Sequence, residues 1–246
     1  MNLELPELVL IWAITVIASI LRSFTGFGFA LAAVPSFALF LPPEQAVVLS
    51  ASLSVALGVQ TFPQYAGRVS PRAQWPLVLM AVIGTVVGAQ LLQSMSDQVF
   101  GLAIGVTVIA ASIVLAFFHP RHSAPSLSAS GGAGLCSGLM NGAFAIPGPP
   151  IIIYVMATES DPAQSRALMI AFFTFSSIIA LMSFAVAGLV GWQSLWLLVA
   201  AYPAMYVGDK LGFALFRRAG GGMYRWVAVA ALMLIGLVIT LRSVLA

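Results

Sequence analysis

Arg22 is the residue of this chain best placed to bind a negatively charged molecule. It stands between uncharged runs of 14 and 21 residues, where an isolated positive charge is unusual. A guanidinium presents its donors in a fixed fork that suits oxyanions such as carboxylates and phosphates. We predict that Arg22 pairs with an anionic substrate. The alternative is that its long stem carries the charge to a polar interface.

Asp209 is the second candidate for chemistry. It precedes Lys210 in an otherwise apolar run, and eight residues separate it from the basic pair that begins at Arg217, about 12 Å along a helix. A carboxyl group in such surroundings can bind and release a coupling proton. An ion pair with Lys210 or with an arginine is the alternative, and the sequence leaves both open.

Two segments rich in glycine and proline, 22–29 and 141–150, carry further donors. Neither can continue as a regular helix, so a new helix must begin after each break. A helix N-terminus offers backbone N–H groups to an anion, and glycine lets the backbone come close to it. We therefore predict one site walled by both segments; tight helix packing is the alternative role of the glycines. Besides Arg22, the candidate substrate-binding residues are Ser23, Thr25, Gly26, Gly28, Ser137, Asn141, Gly142 and Gly148.

The sequence lacks the signatures of an enzyme or of a metal or cofactor site. It has no HExxH motif, no paired carboxylates and no Ser–His constellation, and its histidines, His119 and His122, share one loop. The single cysteine, Cys136, excludes an internal disulfide and a multi-cysteine metal centre. No GxxxxGK[ST] motif marks a nucleotide site. We predict no enzyme activity, no cofactor and no metal.

The composition predicts an integral membrane protein. Hydrophobic residues make up 61% of the 246 residues and charged residues only 7%, against about 45–50% and 25% in ordinary globular chains. So few charges cannot cover a surface that faces water. A soluble enzyme, a disordered chain and a nucleic-acid-binding domain are therefore excluded.

The gaps between charged residues locate the membrane spans. A spanning helix needs about 20 mostly apolar residues. Two segments are broken, at about 5–41 and about 130–157, and each is either a helical hairpin or one kinked crossing. Six regular crossings are predicted at about 45–66, 73–93, 98–118, 165–187, 194–216 and 223–244.

The charges of the loops favour hairpins. If each broken segment crossed once, the basic residues of the loops would divide four against four, which contradicts the positive-inside rule. If each is a hairpin, seven arginines share one face and Arg242 alone lies on the other. We therefore expect a multi-pass protein of the bacterial inner membrane with both termini in the periplasm. The seven arginines are Arg68, Arg72, Arg121, Arg166, Arg217, Arg218 and Arg225.

The chain also shows an internal repeat with a period of about 120 residues. We predict two halves, 1–120 and 130–246, joined by a loop at 121–129 and inserted in opposite orientations. Inverted repeats with broken helices are typical of secondary transporters. The matched pairs are Pro43–Ala46 with Pro162–Ser165, Ala66–Val69 with Ala187–Val190, Trp75 with Trp196, and Gly88 with Gly208.

The two broken motifs resemble those of the TauE/SafE sulfite exporter family. The first reads Arg22-Ser-Phe-Thr-Gly-Phe-Gly-Phe-Ala-Leu-Ala-Ala-Val-Pro35, and the second reads Ser137-Gly-Leu-Met-Asn-Gly-Ala-Phe-Ala-Ile-Pro-Gly-Pro-Pro150. Both lack the family's usual run of consecutive glycines. The resemblance extends over the whole chain and implies export or uptake of sulfite, of sulfonates such as sulfoacetate, or of related organosulfur anions.

These observations predict an all-α polytopic protein that acts as a secondary transporter. It moves a small sulfur-containing or organic anion by alternating access around a site at the two broken segments, with proton coupling through Asp209 as one option. The alternatives are an anion channel or a non-transporting membrane subunit and, less favoured, a membrane enzyme. The expected partners are the anion, the lipid bilayer and a coupling proton, with no nucleic acid; the sequence leaves a homo-oligomer open.

Overall fold

A computed structural model describes residues 5–69, 74–117, 124–219 and 221–245. Every regular element in these ranges is helical, and the prediction of an all-α polytopic membrane protein is confirmed. One 3₁₀ turn, Phe62–Gln64, accompanies the α-helices. These are α1 (Leu5–Thr25), α2 (Phe29–Phe37), α3 (Pro43–Gln60), α4 (Trp75–Ser94), α5 (Asp97–Phe117), α6 (Leu127–Phe144), α7 (Gly148–Thr158), α8 (Pro162–Val186), α9 (Trp192–Ala219) and α10 (Gly221–Leu245).

Several residues used in the sequence argument lie outside these ranges. They are Arg72, His119, Arg121 and His122, and the side chains of Thr25, Arg217, Arg218 and Arg225 are likewise not described.

The outer surface of the helices is apolar, as a protein in lipid requires. On α4, Leu79, Ile83 and Val86 are exposed, whereas Ala81 and Thr85 face inward and are buried. In water such a surface would favour aggregation, while in a bilayer it contacts the acyl chains. Four stretches of the described residues are long and apolar enough to span a membrane, namely Leu5–Ser23, Trp75–Ser94, Asp97–Val114 and Ala163–Val186.

Two helix boundaries differ from the sequence-based prediction for local reasons. The helix predicted at about 45–66 ends at Gln60, and a 3₁₀ turn containing Pro63 follows it. Proline has no backbone N–H to continue the helical ladder. Helix α6 begins at Leu127, inside the predicted loop 121–129, because Ser126 caps it by accepting a hydrogen bond from the N–H of Ala129 at 3.2 Å.

Each broken segment is a pair of helices joined by a short turn. Between α1 and α2, Gly26 and Gly28 adopt φ values of 78° and 97°, in the left-handed region that favours glycine. Between α6 and α7, Ala145 adopts a φ of 53°. Seven of the nine residues of α2 are buried, so this short helix lies inside the molecule.

The contacts between helices fix their relative directions. Helix α1 runs parallel to α9, because Trp12 donates to the carbonyl oxygen of Ala200 and Ser23 contacts Gly212 farther along both helices. Helix α3 runs antiparallel to α8, since Gly58 lies against Thr174 while Gln164 bonds to the backbone beyond the end of α3.

From these directions the course of the first broken segment follows. A five-residue turn at 187–191 reverses the chain between α8 and α9, so α1, α9 and α3 all run the same way. The ends of α1 and α3 meet where Arg22 bonds to Thr61. Helix α2 must therefore lead back from the end of α1 to the start of α3. In the second broken segment, α7 likewise turns back along α6, because Tyr154 of α7 lies close to Ser130 near the start of α6.

Glycine seams hold the parallel pairs together. On α6, Gly134, Gly138 and Gly142 lie against the backbone of α4, and a β-carbon on Gly138 would come within 2.9 Å of the Cα of Ala81. Such small-xxx-small spacing lets two helix backbones approach closely. The pair α1–α9 uses Gly208 and Gly212 in the same way.

The seams correct one detail of the predicted repeat. In one seam, Gly208 contacts Val16 and Gly212 contacts Ile20. In the other, Gly84 contacts Leu135 and Gly88 contacts Leu139. Leu135 and Leu139 lie 119 residues after Val16 and Ile20, respectively. Gly208 thus occupies the place of Gly84 and not that of Gly88. Positions 84 and 208 are 124 residues apart, so a sequence alignment with a fixed period of about 120 residues misses this correspondence.

Candidate functional site

The two turns of the broken segments line one small cavity, with about 40 Å³ of room for the centres of water-sized molecules, which we call the break cavity. Residues 26–31 form one wall and residues 145–148 form the opposite wall. Arg22 reaches its edge and is the one charged side chain among the described residues that line it. The remaining lining residues come from α3 and α8 and are Ser54, Leu57, Phe173, Thr174 and Ser177.

The first turn of α2 supplies backbone donors to the break cavity. Gly28 precedes the helix, and no side chain caps the first N–H groups. Phe29, Ala30 and Leu31 line the cavity, and the first backbone bond of the helix begins only at the N–H of Ala32. A helix start of this kind carries partial positive charge.

The start of α7 differs from that of α2. Two of its first three residues, Pro149 and Pro150, have no backbone N–H to offer. The donors predicted for both breaks therefore come mainly from the first one. The second break contributes a wall formed by Ala145, Ile146, Pro147 and Gly148.

Arg22 is buried, with 8% of its surface exposed, and it pairs with Asp209. Its Nη1 lies 3.6 Å from Oδ1 of Asp209, and its Nη2 donates to Thr61 Oγ1 at 2.9 Å. The Asp209 carboxylate also accepts from Gln60 Nε2 at 2.7 Å and from the hydroxyl of Ser23. Of the partners considered for Asp209 in the sequence, the structure shows an arginine.

A second, larger cavity, with about 220 Å³ of room for the centres of water-sized molecules, adjoins the first at Arg22 and Gly26, and we call it the polar cavity. Arg166 and Lys210 bring further positive charge to it. Nη2 of Arg166 donates to the carbonyl oxygen of Ser23 at 3.0 Å, which places this side chain across the end of α1. The remaining lining residues are Ser23, Gln60, Thr61, Gln64, Ile170, Asp209 and Phe213.

Three candidates of the second broken segment line neither cavity. Ser137 donates to the carbonyl oxygen of Pro147 and so braces the turn. Asn141 is fully buried and donates to Thr85 Oγ1 at 3.2 Å and to the carbonyl oxygen of Ser176 at 2.8 Å. Gly142 packs against α4, where a β-carbon would lie 2.6 Å from the backbone nitrogen of Ala89.

The remaining candidates do gather at the cavities. Gly26, Gly28 and Gly148 line the break cavity with Arg22, while Ser23 and Asp209 line the polar cavity. For Thr25 only its place at the end of α1 is described.

Sequence reasoning missed the hydroxyls of Ser54, Thr174 and Ser177. Thr174 and Ser177 are three residues apart in an apolar helix, and this spacing places both on one face. This spacing of polar residues was the sequence feature from which a hydroxyl-bearing cavity wall on this helix could have been predicted. Arg166 was treated as a loop charge, but α8 begins at Pro162 and places it in the helix.

Comparison with known protein families assigns the chain. The family described as Sulfite exporter TauE/SafE matches residues 11–239, which include both helix breaks and the residues that line both cavities. The chain belongs to the TauE/SafE family. The resemblance noted in the sequence is thereby confirmed, and the chain is a membrane transporter by family. No curated protein and no solved structure shows significant similarity to it.

Proposed function

We propose that this TauE/SafE protein is a secondary transporter that carries a small sulfur-containing or organic anion, such as sulfite, sulfoacetate or a related sulfonate or carboxylate. The anion binds in the break cavity, where Arg22 and the first turn of α2 meet it. The observation that carries the proposal is this meeting of both broken segments around one buried arginine.

The chemistry of the break cavity supports an oxyanion as its ligand. Arg22 supplies a positive charge, the uncapped start of α2 supplies N–H donors, and the hydroxyls of Ser54 and Ser177 supply more. Aromatic and aliphatic side chains, among them Phe173, complete the wall. Such a lining suits a small anion with an apolar substituent.

The arrangement of the halves supports alternating access. Helix α1 packs on α9 of the other half, and α6 packs on α4 of the other half, in both cases parallel and through glycines. The antiparallel pairs α3–α8 and α5–α10 also join the two halves. Two halves related in this way can rock against each other around a site at their interface. We propose that they insert in opposite orientations in the bacterial inner membrane, with both termini in the periplasm.

Flux measurements on protein reconstituted in liposomes test the proposal. Uptake of sulfite, sulfoacetate, sulfolactate and taurine is measured with and without a pH gradient. At least one of these should be transported by the wild type, and Arg22→Ala should reduce its flux at least tenfold. The control is Arg68→Ala, which removes an exposed arginine beyond the end of α3. Equal flux through the wild type and Arg22→Ala would contradict the assignment of Arg22.

A further inference from the structure

We propose that the ion pair Arg22–Asp209 couples one proton to one singly charged anion. The incoming anion replaces Asp209 as the partner of Arg22, and the Asp209 carboxylate takes up a proton. The inference rests on the proposed function, since the anion site is the break cavity. Beyond that function, it specifies that the substrate carries one negative charge and that one proton is taken up per anion.

The position of Arg22 makes it available to both partners. Its side chain lines the break cavity on one side and the polar cavity, with Asp209, on the other. The separation of 3.6 Å between Nη1 and Oδ1 exceeds the 2.7–2.9 Å typical of charge-assisted hydrogen bonds. An anion in the break cavity must therefore share Arg22 with Asp209 or take it over.

Charge balance within the ion pair then favours the uptake of a proton. Arg22 and Asp209 together are neutral, and both side chains are about nine-tenths buried, at 10% and 12% exposure. A monoanion beside them leaves one uncompensated negative charge, which a buried site tolerates poorly. Protonation of Asp209 restores neutrality, whereas a dianion would still leave one negative charge.

Two further cations lie near Asp209, and Arg166 also interacts electrostatically with its carboxylate, but neither cation lines the cavity that holds the anion. Arg166 on α8 and Lys210 on α9 line the polar cavity but not the break cavity. Lys210 Nζ lies 5.4 Å from the ring centroid of Tyr206. The groups that α1 and α3 present to the carboxylate, besides Arg22, are the neutral Ser23 and Gln60. The polar cavity gives the proton a route to Asp209.

The second half carries no charged counterpart of this pair. Asn141 lies 119 residues after Arg22 and is its counterpart in the second half. Thr85 comes directly after Gly84, just as Asp209 comes directly after Gly208, so Thr85 is the counterpart of Asp209. Asn141 donates to Thr85 Oγ1, so the equivalent contact exists but is neutral. The positive charge for the substrate thus comes from one broken segment, and this limits the substrate to a single negative charge.

Binding of methanesulfonate to the purified protein tests the coupling, because this anion keeps one charge at every pH of the experiment. Titration calorimetry in buffers of different ionisation enthalpy gives both the Kd and the protons taken up. For the wild type we expect uptake approaching one proton per anion and a Kd that rises up to about tenfold per pH unit between pH 6 and 8. Sulfate, a dianion, should bind at least tenfold more weakly.

The variant Asp209→Asn should bind methanesulfonate at pH 8 at least as tightly as the wild type does at pH 6, with no proton uptake and no dependence on pH. The control Asp97→Asn changes an exposed carboxylate at the start of α5 and should match the wild type. The double variant Arg22→Ala with Asp209→Asn leaves no unpaired buried charge. It should fold normally and bind no anion.

The outcomes separate the two proposals. Proton uptake that persists in Asp209→Asn, or equal affinity for sulfate and methanesulfonate in the wild type, overturns the coupling and leaves the transporter proposal standing. A wild-type protein that binds and transports neither methanesulfonate nor hydrogensulfite overturns the proposed function, and the coupling falls with it.

Discussion

At the scale of single residues, the site owes its chemistry to one buried arginine and a few hydroxyls. Arg22 lies beside Asp209 because α1 packs parallel to α9, and Gln60 at the end of α3 and Thr61 just after it complete the cluster. Each of these groups is neutral or paired, as buried polar groups must be. The hydroxyls of Ser54 and Ser177 face the break cavity from opposite halves.

The first prediction concerns the contribution of a cavity hydroxyl to anion affinity. Ser177→Ala should weaken anion binding at least tenfold, because a hydrogen bond to a charged ligand contributes about 1.5–3 kcal/mol. Ser183→Ala on the same helix is the control, since its hydroxyl bonds to the carbonyl oxygen of Ile179 and does not line the cavity. Calorimetric Kd values of the two variants provide the comparison. If both bind as the wild type does, Ser177 does not contact the anion.

A second residue-scale prediction concerns the charge and shape of Arg22. Arg22→Lys keeps the charge but loses the fork that reaches Thr61 and Asp209 together. We expect transport to fall at least fivefold while the protein remains folded, as judged by its thermal midpoint. Unchanged transport would mean that the charge alone suffices and that the geometry of the guanidinium is not used.

The sequence could predict the breaks but not the partners across them. Gly26, Gly28 and Pro147 interrupt helices by local backbone chemistry, which any window of sequence reveals. The contact between Ser23 and Asp209 joins residues 186 positions apart. It depends on which helix packs against α1, and that choice is made by the glycine seam.

At the scale of elements, the glycine seams decide which helices pair. Gly134, Gly138 and Gly142 repeat at every fourth position of α6 and meet the backbone of α4. In the sequence, Gly142 was a candidate for contact with substrate. The structure places it in a helix–helix contact, which is the packing role that the sequence left open.

The third prediction concerns the contribution of the α4–α6 glycine seam to stability. Gly138→Ala should lower the thermal midpoint in detergent, since the added methyl group meets the backbone at Ala81, and overpacking of this kind costs about 1–3 kcal/mol. The control is Gly132→Ala on the same helix, where nothing lies within 4 Å of the new atom. Both changes improve helix propensity equally. Equal thermal midpoints for the two variants would show that α4 and α6 can move apart enough to accommodate the added methyl group.

At the scale of the whole molecule, the two halves share a framework but differ in chemistry. The first broken segment supplies the buried positive charge and the N–H donors, whereas the second supplies an apolar wall that includes Pro147. The internal repeat that the sequence predicts would account for two breaks that meet at one cavity. The divergence of the two motifs explains why only one face of the cavity is suited to binding negative charge.

The proposed orientation predicts which residues share a side of the membrane. In variants with Cys136→Ser, Ser128→Cys and Ser160→Cys should react with an impermeant maleimide only after the cells are permeabilised, because α6 and α7 form a hairpin. Ser96→Cys, between α4 and α5, should react in intact cells. Labelling of positions 128 and 160 from opposite sides would mean that the second broken segment crosses the membrane once.

The central claim is that the transported anion occupies the break cavity, and substrate protection tests it most directly. Ser54→Cys in the Cys136→Ser background places a thiol on the cavity wall, and Ser94→Cys places one at the exposed end of α4. The rate of maleimide labelling is measured with increasing concentrations of a transported anion. We expect labelling at position 54 to slow as the anion concentration rises, with a midpoint equal to the Kd, while labelling at position 94 is unchanged. An unchanged rate of labelling at position 54 in the presence of saturating anion would contradict the claim that the anion occupies the break cavity.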